Sequence, residues 1–148
     1  MIDHIGMSVR DIARATEFYR KALAPLGIGV VMEVSAEDIG SGAAVGFGAN
    51  WKPFFWIGEG FHPAGDQHIH VAFTAPSREA VDAFYAAAIA AGGKDNGPPG
   101  LRPHYHENYY GAFVLEPTAT TSRPCATRRR RSSSGAVAHQ TSAQVAKR

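Results

Sequence analysis

Two stretches decide the fold: Ile2-Asp3-His4-Ile5-Gly6-Met7-Ser8-Val9 near the start of the chain, and His68-Ile69-His70-Val71-Ala72-Phe73-Thr74 in its middle. Both alternate as strands do. In the first, Asp3, Ile5, Met7 and Val9 fall on one face and Ile2, His4, Gly6 and Ser8 on the other. In the second, Ile69, Val71 and Phe73 oppose His68 and His70. The larger apolar side chains predict the face packed on a helix. That leaves His4 and His70 on the opposite, concave face.

Each strand opens the same pattern. Asp11 is placed to cap a helix from about Ile12 to Ala24 with an apolar stripe of Ala15, Phe18, Tyr19 and Leu23, ended by Pro25 and Gly27. Three short strand-like runs follow, at 29–34, 43–48 and 54–58, separated by turns. After the second stretch, Ser77 caps a helix from Arg78 to Ala91 with a stripe of Val81, Phe84, Tyr85 and Ala88, stopped by Gly92-Gly93. His4 and His70, Phe18 and Phe84, Tyr19 and Tyr85, and Gly27 and Gly93 are all 66 positions apart. Repeated units of this kind bury their apolar faces against each other. The expectation is an α+β fold of two βαβββ repeats, at about 1–60 and 66–117, forming a curved mixed sheet around a cleft.

Composition fits one soluble domain. The chain has 148 residues, 45% hydrophobic and 19% charged. It carries no secretory pattern and no run near the length of a membrane span. The single cysteine, Cys125, excludes an internal disulfide framework and fits a reducing cytoplasm. The net charge of +2 averages two unlike regions. Residues 118–148 hold seven of the fifteen Lys/Arg and no acid, leaving eight bases against thirteen acids in 1–117, a net of −5. That body gives no reason to expect nucleic acid as a partner.

The His-Ile-Gly-Met-Ser-Val start, the Phe18-Tyr19 pair and the His-Val-Ala-Phe restart resemble the vicinal oxygen chelate (glyoxalase/bleomycin resistance/extradiol dioxygenase) superfamily. So does Asn108-Tyr109-Tyr110-Gly111-Ala112-Phe113-Val114-Leu115-Glu116-Pro117. The resemblance covers nearly all of 1–117. It implies a divalent metal ion (Zn, Ni, Mn or Fe) held by a histidine on the first strand, a histidine on the strand opening the second half, and a glutamate on the last strand. His4 and His70 match the first two. Two imidazoles and a carboxylate leave open positions for substrate oxygens.

The third ligand is missing. After Pro117 the resemblance calls for Asp-Gly-x-Asn-x-Ile-Glu-Ala, but the chain reads Thr-Ala-Thr-Thr-Ser-Arg-Pro-Cys-Ala-Thr, with Arg123 at the glutamate position and Pro124 in the strand. Beyond this point there is no Leu, Ile, Met or aromatic residue, and Arg128 to Arg131 form an unbroken basic run. Such composition predicts a disordered tail over 118–148 and loss of the last strand. One synonymous coding of 118–127 is ACG GCC ACA ACA TCG AGG CCG TGT GCC ACG. With one G placed before it, the reading becomes GAC GGC CAC AAC ATC GAG GCC GTG TGC CAC, or Asp-Gly-His-Asn-Ile-Glu-Ala-Val-Cys-His. The expectation is therefore a single-nucleotide frameshift after Pro117, with the metal lost from this chain. The rival reading of Arg128 to Arg131 is a nuclear-localisation or nucleic-acid arm.

Other groups line up as substrate contacts. Trp51 to Trp56 reads as a strand whose alternate residues, Phe55 among them, wall the cleft or fill the core. Gly97-Pro98-Pro99-Gly100 forbids regular structure, and Arg102, His104, Tyr105, His106, Glu107, Tyr109 and Tyr110 crowd the loop behind it. Arg102 suits a substrate carboxylate or phosphonate, and His104 or Tyr110 a proton donor or spare ligand. His68 is a weaker candidate, and His62 sits in a Gly/Pro turn. The glycine-rich 40–46 lacks the Lys-Ser/Thr of a nucleotide loop.

Three functions stay open. One is a metal-dependent enzyme on a small oxygenated molecule, of lyase or isomerase type or a ring-cleaving dioxygenase. The second is a metal-free small-molecule binding protein of the bleomycin-resistance type, and the third an inactive frameshifted product. A small-molecule substrate and no membrane are expected, and paired or swapped halves are compatible with a homodimer.

Overall fold

The computed structural model describes residues 2–40, 42–59, 69–103, 105, 107–117 and 142–147; the side chains of Ile39 and of 142–147 lie outside that description. Strand β1 (Ile5–Ser8) leads to helix α1 (Ile12–Leu23), strand β2 (Gly29–Val34), a short helix α2 (Ala36–Ile39), and strands β3 (Ala44–Ala49) and β4 (Lys52–Gly58). The second half repeats this with β5 (His70–Thr74), α3 (Arg78–Ala90), β6 (Lys94–Leu101), β7 (Tyr110–Leu115) and β8 (Ser142–Lys147). The strands form two four-stranded sheets, ordered β1-β4-β3-β2 and β5-β8-β7-β6. In each, the first pair is parallel and the rest antiparallel, giving a curved, unclosed mixed α+β architecture.

The alternation in the two opening strands is real. Met7 and Val9 are buried, as are Phe73 and Ala75, while His4, Gly6, His70 and Ala72 are exposed on the other face. Asp11 caps α1 by accepting from the Arg14 N–H at 2.9 Å, and Glu59 reaches back to accept from the Ile12 N–H at 3.3 Å. Ser77 caps α3 by accepting from the Ala80 N–H at 3.2 Å. Ala15, Phe18, Tyr19 and Leu23 on α1, and Val81, Phe84 and Ala88 on α3, form the buried stripes.

One core joins both halves. Tyr19 meets Phe55 edge-on at 4.9 Å between centroids, and Phe55 meets Phe73 across the halves at 5.2 Å. Phe55 is 1% exposed, so its expected place on the cleft wall is corrected to the core. The reason is strand parity: Phe55 and Ile57 share the buried side of β4, which turns Phe54 and Trp56 the other way. Trp51 does not begin that strand. With Asn50 it forms a two-residue turn at φ 62° and 52°, and it is 95% exposed. Deep in the same core, burial first and the Glu116 carboxylate second push the Tyr19 phenol well above its usual range.

Two further expectations change. Gly97-Pro98-Pro99-Gly100 lies inside β6 rather than in a loop. β6 is an edge strand paired only with β7, where missing proline N–H groups cost no ladder bond, and register shifts absorb the irregularity at Asp95/Gly97 and Gly97/Gly100. The last strand is also not lost. β8, from within the tail expected to be disordered, fills the place between β5 and β7. Two flanking strands with unpaired N–H and C=O groups attract an extended segment, and 142–147 supplies one; residues 118–141 lie outside the described residues.

Candidate functional site on the concave face

β7 sorts its side chains by parity. Tyr110, Ala112 and Val114 face the helices, with Ala112 and Val114 fully buried. Phe113 faces the other way, and three of its neighbours carry chemistry. The Arg102 guanidinium carbon lies 5.5 Å from the Phe113 ring centre, the Tyr105 ring stacks at 6.4 Å with an interplanar angle of 27°, and the His70 ring stands at 6.5 Å. Sequence reading named Arg102, Tyr105 and His70 but missed Phe113 as their centre. The alternation of Tyr110 to Leu115 held that signal.

Arg102 is held in place by backbone. Its Nη2 donates to the Pro98 carbonyl at 2.6 Å and its Nη1 to the Leu101 carbonyl at 3.1 Å. The glycines of β6 make room for it. A Cβ on Gly100 would stand 2.8 Å from Nη1, and one on Gly97 would stand 3.1 Å from the Phe113 ring and 3.5 Å from Nη2. Gly97 is also at φ 147°, which disfavours other residues. A guanidinium has five N–H donors, and backbone carbonyls do not neutralise its charge. Tyr105 packs on Tyr109 at 5.0 Å; burial, then Tyr105, raise the Tyr109 phenol and keep it protonated.

The remaining expected contacts separate from this cluster. Tyr110 is corrected: its hydroxyl donates to Asp82 on α3 at 2.8 Å and Arg78 covers its ring at 5.2 Å, so it faces the helix. The Asp82 bond, followed by burial, raises its pKa. His104, His106, His62 and His68 lie outside the described residues.

His4 sits just before β1 with Nδ1 2.9 Å from an Asp3 carboxylate oxygen, and Lys52 at the start of β4 pairs with the other oxygen. Lys52 first, then His4, hold the Asp3 carboxyl below its usual value. The donor set does not fit the implied metal. Among the described residues no group of three or more His, Cys, Asp or Glu is close enough to hold an ion. The Ser-Ala-Gln-Val-Ala-Lys sequence of β8 brings no carboxylate to the place of the implied glutamate. Two imidazoles fall short of the three protein ligands usual in catalytic sites.

Among the described residues no helix is long and apolar enough to cross a membrane. Among curated proteins no sequence match is significant. Solved structures share the fold. A glyoxalase/bleomycin resistance protein from Albidiferax ferrireducens aligns over 99% of this chain and 98% of its own, at 23% identity and a TM-score of 0.68. The fosfomycin resistance protein of Listeria monocytogenes, a mutant of which was crystallised with manganese(II) and a dihydroxypropylphosphonic acid, aligns over 98% and 90% at 14% identity and 0.60. Lactoylglutathione lyase from Agrobacterium tumefaciens aligns over 99% and 92%, also at 14% and 0.60. The family model described as Glyoxalase/Bleomycin resistance protein/Dioxygenase superfamily matches residues 1–118, stopping where the sequence departs from the expected last strand. The chain belongs to the glyoxalase/bleomycin resistance protein/dioxygenase superfamily.

Proposed function

We propose that this chain binds a small anionic, oxygen-bearing molecule on the concave face of its second half. Arg102 reads the charge, while Phe113 and Tyr105 form an apolar wall. One observation carries the reading: a guanidinium seated over the Phe113 ring at 5.5 Å, with backbone carbonyls as its described hydrogen-bond partners. Its remaining N–H groups suit a carboxylate or phosphonate, whose charge-assisted bonds are stronger than neutral ones. The protonated Tyr109 phenol adds a donor in the same loop, and His104 and His70 complete the polar edge. This is the behaviour of a bleomycin-resistance-type binding protein, and we place it in the cytoplasm, as a monomer or homodimer.

A second reading is a metal-dependent lyase or isomerase using His4 and His70. The equivalent placement of the two histidines in the repeat supports it, as does the Asp3 carboxylate that orients His4, since metal-ligating imidazoles are commonly braced this way. It needs a third donor that the described residues do not supply.

The test is a titration of the full chain with phenylphosphonate and benzoate, against benzyl alcohol as the neutral control, followed through the side-chain resonances of Arg102. The anions are expected to shift Arg102 and the alcohol to leave it unmoved. An equal response to all three, or none at Arg102, contradicts the reading.

A further inference from the structure

The elements of the two halves keep one spacing, with one exception. Ile12 and Arg78 open the long helices, and Ala44 and Tyr110 open the matching strands β3 and β7, each pair 66 residues apart. By that offset the counterpart of β4 (Lys52–Gly58) belongs at 118–124. The strand in its place begins at Ser142, 24 residues later.

The place itself is correct. β8 runs parallel to β5 and antiparallel to β7, as β4 runs to β1 and β3. The connections differ: Asn50 and Trp51 alone join β3 to β4, whereas 26 residues, 116–141, separate β7 from β8. A strand so far along the chain is not delivered by a tight hairpin. It is captured by the slot, because two rows of backbone donors and acceptors bind an extended segment through its main chain. Ser-Ala-Gln-Val-Ala-Lys has one β-branched residue and no aromatic one, so its side chains give little reason for the pairing. The family match ends at residue 118, where the offset calls for the strand to begin. The shifted-frame reading independently puts Ile-Glu-Ala-Val at the vacated position.

We infer that the gap between β5 and β7 is a strand-acceptor groove, in which Ser142–Lys147 stands in for a strand belonging at 118–124 and exchanges with the same segment supplied from another molecule. The groove borders the proposed ligand site, since β5 carries His70 and β7 carries Phe113. In register, Ser142 stands level with His70 and Gln144 with Phe113. The inference does not depend on the ligand reading.

The test uses the full chain with a site-specific protease sequence in place of Arg128–Arg131. After cleavage, a fluorescent peptide of residues 141–148 is expected to enter the body and to be competed by its unlabelled form. A peptide carrying Val145→Pro, with the same charge, is expected to stay out, because proline removes a ladder donor in a strand paired on both sides. In the intact chain, V145P is expected to abolish slow amide exchange in β5 and β7 while α1 keeps its protection. Failure of the labelled peptide to enter, or equal entry of the proline peptide, overturns the inference. So does unchanged protection of β5 and β7 in the V145P chain.

Discussion

The Arg102 guanidinium lies 5.5 Å from the centre of the Phe113 ring, in a recess that exists because Gly97 and Gly100 carry no side chain. The Gly-Pro-Pro-Gly segment thereby has a definite role. Its prolines suit an edge strand, and its glycines admit the cation to the ring.

That role gives the first prediction. In Gly100→Ala the new methyl group would stand 2.8 Å from Arg102 Nη1, and a long flexible side chain yields more easily than backbone. Melting should move little, within roughly 0.5 kcal/mol of wild type as for most surface changes, while affinity for phenylphosphonate falls. Calorimetric titration beside a thermal melt checks both. Unchanged affinity would show that the recess does not position the guanidinium.

Phe55 tests the joint between the halves. It bridges Tyr19 and Phe73, so Phe55→Ala should cost about 3–5 kcal/mol, as for large aromatic truncations in cores. Denaturant unfolding measures this. A loss near that of an exposed residue would mean that the halves do not share one core.

The Asp3 cluster makes a prediction about pH. Lys52 is the largest cause of the depressed Asp3 pKa, so Lys52→Met should raise it back toward 3.8, as read by the carboxyl carbon resonance. The sign follows from linkage. A depressed folded-state value means that the stabilisation is present above the unfolded value of about 3.8 and is lost as pH falls through the lower folded value. Acid melts of wild type and Lys52→Met should therefore converge at low pH. Curves that stay equally separated down to the acid limit would contradict the pairing.

Resequencing the DNA across codons 117–127 tests the interrupted frame. One added base after the Pro117 codon should open Asp-Gly-His-Asn-Ile-Glu-Ala-Val-Cys-His, up to synonymous choices. Third bases that forbid this reading would remove the frameshift and leave the displaced strand as the native one.

Much of the fold was legible because its signals are local and occur twice. Alternation in Ile2 to Val9 and in His68 to Thr74, the caps Asp11 and Ser77, and the 66-residue offset each report on a few residues at a time. The errors share a cause. Phe55, Phe113 and Tyr110 were misjudged or missed because the buried face of a strand depends on which side its helix packs, and β4 and β7 offer apolar residues on both faces. The prolines of 98–99 read as loop because edge or centre is a property of the sheet rather than of the segment. β8 was invisible for the same reason: its pairing comes from the groove, not from the modest strand propensity of Ser142–Lys147.

The most direct test of the binding reading is a titration of phenylphosphonate into wild type and Arg102→Ala, both freed of metal with a chelator. Wild type should bind without any ion, and Arg102→Ala should lose about tenfold or more, as expected when a hydrogen bond to a charged group worth roughly 1.5–3 kcal/mol is removed. Binding that vanishes in the chelated wild type and returns on adding zinc or manganese, with Arg102→Ala behaving like wild type, would contradict the account and favour the histidine-centred reading.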